Sequence, residues 1–585
     1  MNTICHNQWC GKKFQISDQE KSFLERISPV FHGKKYEIPV PNICPDCRMQ
    51  NRVAHRNEQY FYHNTSAVSG KPFISLYAPD NSWGKDSKIV SSDEWWSDDW
   101  DGATFGRDFD FSRGFFEQFF ELSKNIPKVN LIQVSNENSP YTTGTGYCKN
   151  CYLINSSENC ENCYYGKLLQ TCRDVMDSSY AYDCELLYEC FYVRNCYNCH
   201  YLSYSQNCFD CWFSENLKGC KNCFLCADLT NKEYNIMNQP VSKEEYKKKL
   251  EIVKGSYEQT MKAKTFLSDL RKKRVHKYAN IVGCENSTGD FLTNSKSCID
   301  CYDMNDSEDC RLVQVGVNVK DLIDCSNMYL KPELCYQVLG TIGVYNVIFS
   351  IYIFHSHDVM YSEFCYNCEY LFGCSGLRNK KYCILNKQYT KEEYEKLVPR
   401  VIEHMKKPAL GSVAMSGVTH TLTKSFSGQS DAEWGKYFPV KFSPFGYNET
   451  LADEYLPLTK KEVENRGWNW HKEESASKKY MGPETKIPDN IREVDEKITE
   501  KILVCEATGK LYKIIPQELQ FYKKICIPVP RICAEERHKQ RMFLRNSRKL
   551  YERKCTKCEK PVESTYSPDR LERIYCEECY LKEIY

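Results

Sequence analysis

Residues 147–164 read Tyr147-Cys148-Lys149-Asn150-Cys151-Tyr152-Leu153-Ile154-Asn155-Ser156-Ser157-Glu158-Asn159-Cys160-Glu161-Asn162-Cys163-Tyr164. The spacing continues: Cys148, Cys160, Cys172, Cys184, Cys196, Cys208 and Cys220 stand 12 residues apart. A second cysteine follows three residues later at Cys151, Cys163, Cys199, Cys211 and Cys223, and Val175 and Leu187 fill that place in the other two repeats. Val and Leu in place of Cys mark a position that faces an apolar interior. A short, strict period with small inward residues predicts stacked coils, each covering the next. Asn159, Asp183, Asn195 and Asn207 precede the first cysteine and suit turns. The place after the second cysteine holds Tyr152, Tyr164, Met176, Tyr188, His200, Trp212 and Phe224, and another column holds Tyr180, Tyr192 and Tyr204. Strands about 4.8 Å apart would set these rings in rows.

The block recurs. Ser297-Cys298-Ile299-Asp300-Cys301 matches 147–151, and 379–386 matches 231–238 with a net deletion of two residues. The second copy has fewer cysteines and more Val, Ile and Phe. Its uncharged run between Cys335 and His355 is therefore read as coil interior and not as a membrane span, which needs about 20 apolar residues. Each copy ends at a capping box, Ser242-x-x-Glu245 and Thr390-x-x-Glu393, followed by a helix predicted to cover the open edge. After the first box, Tyr246, Leu250, Val253, Tyr257 and Met261 read as one apolar helical face. The basic run Arg271-Lys272-Lys273-Arg274 reads as solvated surface.

The ends carry a different signal. Cys5-x4-Cys10 and Cys44-Pro45-Asp46-Cys47 supply four thiolates, as do Cys555-x2-Cys558 and Cys576-x2-Cys579, so two closed, structural zinc ions are expected. A copy of the first module lies near the C-terminus: Ile38-Pro39-Val40-Pro41-Asn42-Ile43-Cys44 recurs as Ile527-Pro528-Val529-Pro530-Arg531-Ile532-Cys533. Glu536 replaces Cys47 there and the upstream pair is reduced to Cys505 and Thr508, so this copy should keep its fold without zinc.

The predicted fold is mainly β: two tandem 12-residue-coil β-solenoid units with capping helices, flanked by small zinc-ribbon-like modules. The divisions are a zinc module (1–60), an aromatic and acidic segment packing on the first solenoid (61–129), the first solenoid (130–241), its helix and basic connector (242–279), the second solenoid (280–389), its helix (390–408), an extended connector (409–500), the degenerate module (501–550) and a zinc ribbon (551–585).

Interior thiols admit three readings: a dry ladder of small hydrophobes, disulfides, or further metal sites. Cys148, Cys151, Cys160 and Cys163 form one candidate metal set, and Cys196, Cys199, Cys208 and Cys211 another.

The 585 residues carry 79 Lys+Arg against 78 Asp+Glu, which excludes a uniformly basic chain, yet residues 501–560 hold 16 Lys+Arg and 6 Asp+Glu. Arg48, Arg52 and Arg56 stand at i, i+4 and i+8, and so do Arg537, Arg541 and Arg545. On a helix that spacing lines up three guanidinium groups, as phosphate contacts, as a solvated face or as bridges to local carboxylates. Beside a zinc ribbon it points to nucleic acid, RNA or a ribonucleoprotein, through Arg537, Arg541 and Arg545 supported by Lys539, Arg548 and Lys549. The alternatives are a protein-interaction scaffold using the solenoid face and a metal or thiol reservoir. No P-loop, Rossmann or HExxH pattern occurs, so no enzymatic activity is expected. Met1-Asn2-Thr3-Ile4-Cys5 does not open a secretory signal, and a cytoplasmic protein without membrane contact is expected.

The 12-residue coil resembles the insect antifreeze solenoids in geometry alone. Cys184–Cys190 and Cys220–Cys226 share their six-residue spacing, but their outward Thr columns are missing and ice binding is not implied. The terminal IPVP-x-IC modules, Asp108-Phe109-Asp110-Phe111-Ser112-Arg113 and Ser443-Pro444-Phe445-Gly446-Tyr447-Asn448-Glu449-Thr450 together resemble an uncharacterised family of Cys-rich bacterial proteins. That resemblance covers most of the chain and implies no activity or functional residue.

Overall fold

The computed structural model describes residues 2–79, 87–407, 432–472, 482 and 485–584. The chain is strand-rich and forms two compact units, one of residues 1–130 with 279–471 and one of 131–278 with 472–585. Eight helices matter below: α1 (Asp18–Ile27), α2 (Pro45–Val53), α3 (Lys243–Val253), α4 (Tyr257–Lys273), α5 (Lys391–Met405), α6 (Pro516–Ile525), α7 (Ala534–Met542) and α8 (Glu577–Ile584).

In the unit of 131–278 and 472–585, short strands pair in parallel at a register of 12. Arg173 faces Glu185, Val175 faces Leu187, Ser179 faces Phe191 and Phe191 faces Ser203. The backbone has a shorter period inside this one. Every third residue takes a left-handed conformation, as at Asn150 (φ 52°), Leu153 (51°), Ser156 (49°), Asn159 (54°) and Asn162 (52°). That conformation costs a non-glycine residue roughly 1–2 kcal/mol, least for Asn and Asp, which explains the Asn and Asp columns. The residue after each such position is buried, so Cys148, Cys151, Ile154, Cys160, Cys163 and Leu169 share one core with their counterparts in later repeats. Inward serines join neighbouring repeats: Ser157 Oγ accepts from Leu169 N at 3.0 Å and Ser205 Oγ from Leu217 N at 2.9 Å.

The unit of 1–130 and 279–471 holds a second set of parallel strands, whose core runs through Cys298, Cys301, Met304, Cys310 and Val313 to Cys383. Alternate strands form two eight-stranded sheets. The register is again 12, Tyr345 facing His357, except for a step of 11 from Ile281 to Leu292 and a step of 13 from Lys320 to Glu333, where consecutive Leu330 and Lys331 both take positive φ. The uncharged run is strand here, in Leu339–Ile342, Tyr345–Ile348 and Ile351–Phe354. No helix of the described residues is long and apolar enough to cross a membrane.

Three expectations are corrected. The aromatic segment of 61–129 packs on the second set of strands, not the first: Trp95 meets Tyr366 at 5.3 Å and Phe115 meets Phe372 at 5.4 Å. The helix after Ser242 is two helices, because Gly255 turns the chain at φ +81° and Ser256 caps α4; Tyr246, Leu250 and Val253 are buried while Met261 is exposed. Arg271 and Arg274 are not solvated: Arg271 bonds Glu215 and Ser203, and Arg274 bonds Glu215 and Asp228. Of the expected connector 409–500, residues 409–431, 473–481, 483 and 484 lie outside the described residues. Parts of the remainder pack, with Phe438 stacked on Phe119 at 4.9 Å and Trp468 on Tyr447 at 5.6 Å.

Candidate metal centres and the buried arginine clusters

Two four-cysteine groups can hold a metal ion. Cys5 follows the Asn2–Ile4 strand and Cys10 lies in the turn that leads to its partner strand Lys13–Gln15, while Cys44 caps α2 with Cys47 in its first turn. All four sulfurs lie within 4.8 Å of one another, with Cys5 to Cys47 at 3.8 Å and Cys10 to Cys44 at 3.7 Å. Cys555 and Cys558 follow the Tyr551–Lys554 strand, Cys576 and Cys579 open α8, and Cys558 to Cys576 is 3.7 Å. A thiolate tetrahedron with metal–sulfur bonds of about 2.3 Å has edges of about 3.8 Å, so both groups fit such an ion. A helix N-terminus also favours thiolates. The hydrogen bond with Cys47, then that group's backbone N–H, draws the Cys44 thiol down to about 5. At Cys555 burial works upward, but backbone N–H groups of Cys576, Cys558 and Lys557 prevail and bring it to about 6.

The degenerate module repeats this plan without the ligands. Cys533 caps α7 and its N–H donates to Cys505 Sγ at 3.3 Å, as Cys44 N donates to Cys5 Sγ at 3.2 Å. Glu536 and Thr508 stand where Cys47 and Cys10 stand in the first module.

The interior cysteines are arranged differently. Among the described residues, only the two terminal groups bring three or more ligating atoms within 4.8 Å. Cys148, Cys151, Cys160 and Cys163 are not gathered into a metal site, nor are Cys196, Cys199, Cys208 and Cys211, because strand pairing spreads them along columns. Their thiols instead donate weakly to carbonyls of the next repeat, Cys163 to Cys172 O and Cys199 to Cys208 O, both at 3.5 Å. Burial pushes the Cys163, Cys190 and Cys365 thiols well above their ordinary value.

The arginines expected to meet phosphate are placed inside the protein. Arg537 Nε donates to Asp177 Oδ2 at 2.8 Å and its Nη2 to Glu518 Oε1 at 3.2 Å. Arg541 Nη1 donates to Asp177 Oδ1 at 3.0 Å. Arg537 is 3% exposed and Arg541 4%, and Asp177 is fully buried. Burial pushes the Glu518 carboxyl up and Arg537 opposes it. Arg545 and Arg548 both reach Tyr180 Oη, at 3.0 and 3.1 Å. Lys539 is exposed and pairs with Glu535 at 2.7 Å, and Lys549 is exposed beside Tyr551. The phosphate-facing stripe is therefore corrected: Arg537 and Arg541 are spent on carboxylates. The other unit repeats the cluster, Arg48 binding Asp324 and Glu20, Arg52 lying 3.4 Å from Asp324, and Arg56 pairing with Glu58.

Asp177, Asp324, Glu20 and Glu518 are the residues that sequence reasoning missed. One signal was present. Asp177 and Glu189 interrupt a 12-residue column otherwise rich in rings and leucine, Leu153, Tyr165, Tyr201, Phe213 and Leu225, and an acid in such a column needs a partner.

No protein-family model and no curated protein matches the chain. This accords with the resemblance to an uncharacterised family. A solved structure described as a "putative acetyltransferase" from Desulfovibrio desulfuricans G20 aligns at 11% identity over 44% of this chain and 68% of its own, with a TM-score of 0.10. A similarity of that size carries no argument about fold or activity.

Proposed function

We propose that the protein is a non-enzymatic, zinc-stabilised scaffold built on two β-solenoids. Each 12-residue repeat is then one coil of four three-residue sides, each side turning at a left-handed residue. The parallel register of 12, the left-handed period of three and the single core reached by every third side chain support this reading. The observation that carries the scaffold role is the pair of four-cysteine groups. Each fills all four tetrahedral positions with thiolates, which suits a closed structural zinc and leaves no position for substrate.

Contact with RNA is the second reading, and the basic content of 501–560 favours it. It would rest on Lys539, Arg545, Arg548 and Lys549, since Arg537 and Arg541 are committed to Asp177.

Elemental analysis of the purified chain tests the first reading. Two zinc ions per chain are expected, with one lost in Cys47→Ser and one in Cys576→Ser. No bound metal overturns it, and four or more ions per chain would mean that the interior cysteines bind metal. Crosslinking of cellular RNA to the full chain, compared with Lys539→Glu/Lys549→Glu, tests the second.

A further inference from the structure

A cleft of about 610 Å³ opens between the first strands of the 131–278 ladder and α6. It belongs to neither four-cysteine group. One wall is a column of amides, one per repeat. Asn138 Nδ2 donates to Asn150 Oδ1 at 2.8 Å, Asn150 Nδ2 to Asn162 Oδ1 at 3.3 Å, and Asn162 Nδ2 to Asp174 Oδ1 at 3.1 Å. Lys524 Nζ closes the series on Asp174 Oδ2 at 2.9 Å. A second column, Tyr141, Tyr152 and Tyr164, lines the cleft with rings, Tyr141 and Tyr152 lying 5.1 Å apart. Across from both, α6 presents Gln517, Gln520 and Lys524, which its periodicity sets on one face.

We propose that this cleft binds a neutral oligosaccharide. The inference rests on the scaffold reading and names a ligand class for it. Each amide both donates and accepts, and each carboxamide in the column uses only part of that capacity on its neighbour. Sugar hydroxyls also do both. The amides recur at about 4.8 Å, the spacing of paired strands, so the wall offers a repeating set of partners to a repeating ligand. Phenol rings give the apolar faces of a pyranose something to stack on, with a polar edge beside them. The charges in the lining cancel, Lys524 pairing with Asp174, which suits a neutral ligand.

The test is calorimetry of the full chain with cellohexaose, xylohexaose, maltohexaose and chitohexaose. Saturable binding of at least one is expected. Gln520→Ala and Asn150→Ala, at positions not fully buried, should each weaken it about tenfold, the cost of one lost hydrogen bond, and Tyr152→Ala should abolish it. Circular dichroism and zinc content of each variant show whether it folds. Absence of binding by all four sugars to protein holding two zinc ions overturns the carbohydrate proposal while leaving the scaffold reading intact. Binding unchanged in all three variants, or competed away by RNA, also overturns it.

Discussion

Arg537 and Asp177 form a buried ion pair whose two members lie 360 residues apart in the chain. Asp177 sits on the ladder in a left-handed backbone position (φ 49°), and so does Asp324 (φ 57°), the partner of Arg48 in the other unit. The first module and its degenerate copy therefore hold their ladders by the same device: an arginine one turn into a helix, an acid from the preceding helix, and an aspartate at a left-handed position of the ladder. Removing Arg537 leaves the buried Glu518 without its cation and leaves Asp177 with Arg541 alone.

Arg537→Ala is accordingly expected to destabilise the unit of 131–278 and 472–585 by about 3–5 kcal/mol, read as a shift of the urea midpoint. Arg537→Glu should be worse, because it places a carboxylate against Asp177 and Glu518. A surface phosphate contact would predict the opposite, an unchanged midpoint with lost RNA crosslinking.

The 12-residue cysteine period made the parallel ladders legible, and the paired cysteine spacings made both four-cysteine groups legible, because each is local. The arginine stripe was misread because its helical spacing is local while its partner is not: nothing near Arg537 announces Asp177. The three-residue backbone period was hidden for another reason. Asn159 and Asn162 advertise a left-handed position, but Tyr165, Leu168 and Thr171 occupy equivalent ones. These residues disfavour that conformation, so tertiary packing overrides local preference there. The break between α3 and α4 turned on Gly255, set inside an apolar pattern that reads straight through it.

Stripping metal with a chelator should separate the three modules. Hydrogen exchange is expected to rise in α2 and α8, whose first turns carry Cys47 and Cys579, because thiolate–metal bonds would hold those turns. Exchange in α7 should stay unchanged, since Cys533 and Cys505 meet through a backbone hydrogen bond and not through a set of four thiolates. Equal loss of protection in α7 would mean that the degenerate module also depends on metal.

The ladder interior should tolerate Cys163→Val. Val175 already fills the same column one repeat later, and the change adds only about one methyl group. A cost below about 1.5 kcal/mol is expected, with two zinc ions retained. Loss of an ion would instead make Cys163 a ligand.

Two buried histidines are expected to lower stability in acid. Burial is the leading cause that lowers His55 to about 4 and His200 to about 3. Both are essentially inaccessible, and His200 lies 4.2 Å from the ring of Trp212. The unfolded chain takes up the proton first, near pH 6.5. Stability from these residues is therefore complete above that pH and is lost as pH falls from about 6.5 toward 4, with a limiting slope of about 1.4 kcal/mol per pH unit for each. His200→Phe should be accepted, because Phe224 occupies the same column two repeats later. Urea midpoints at pH 7 and pH 5 should draw closer in that variant than in the parent. Thiolate protonation at the four-cysteine groups acts on both proteins alike and cancels in the comparison. An unchanged difference between the two pH values would show that His200 is protonated in the folded protein.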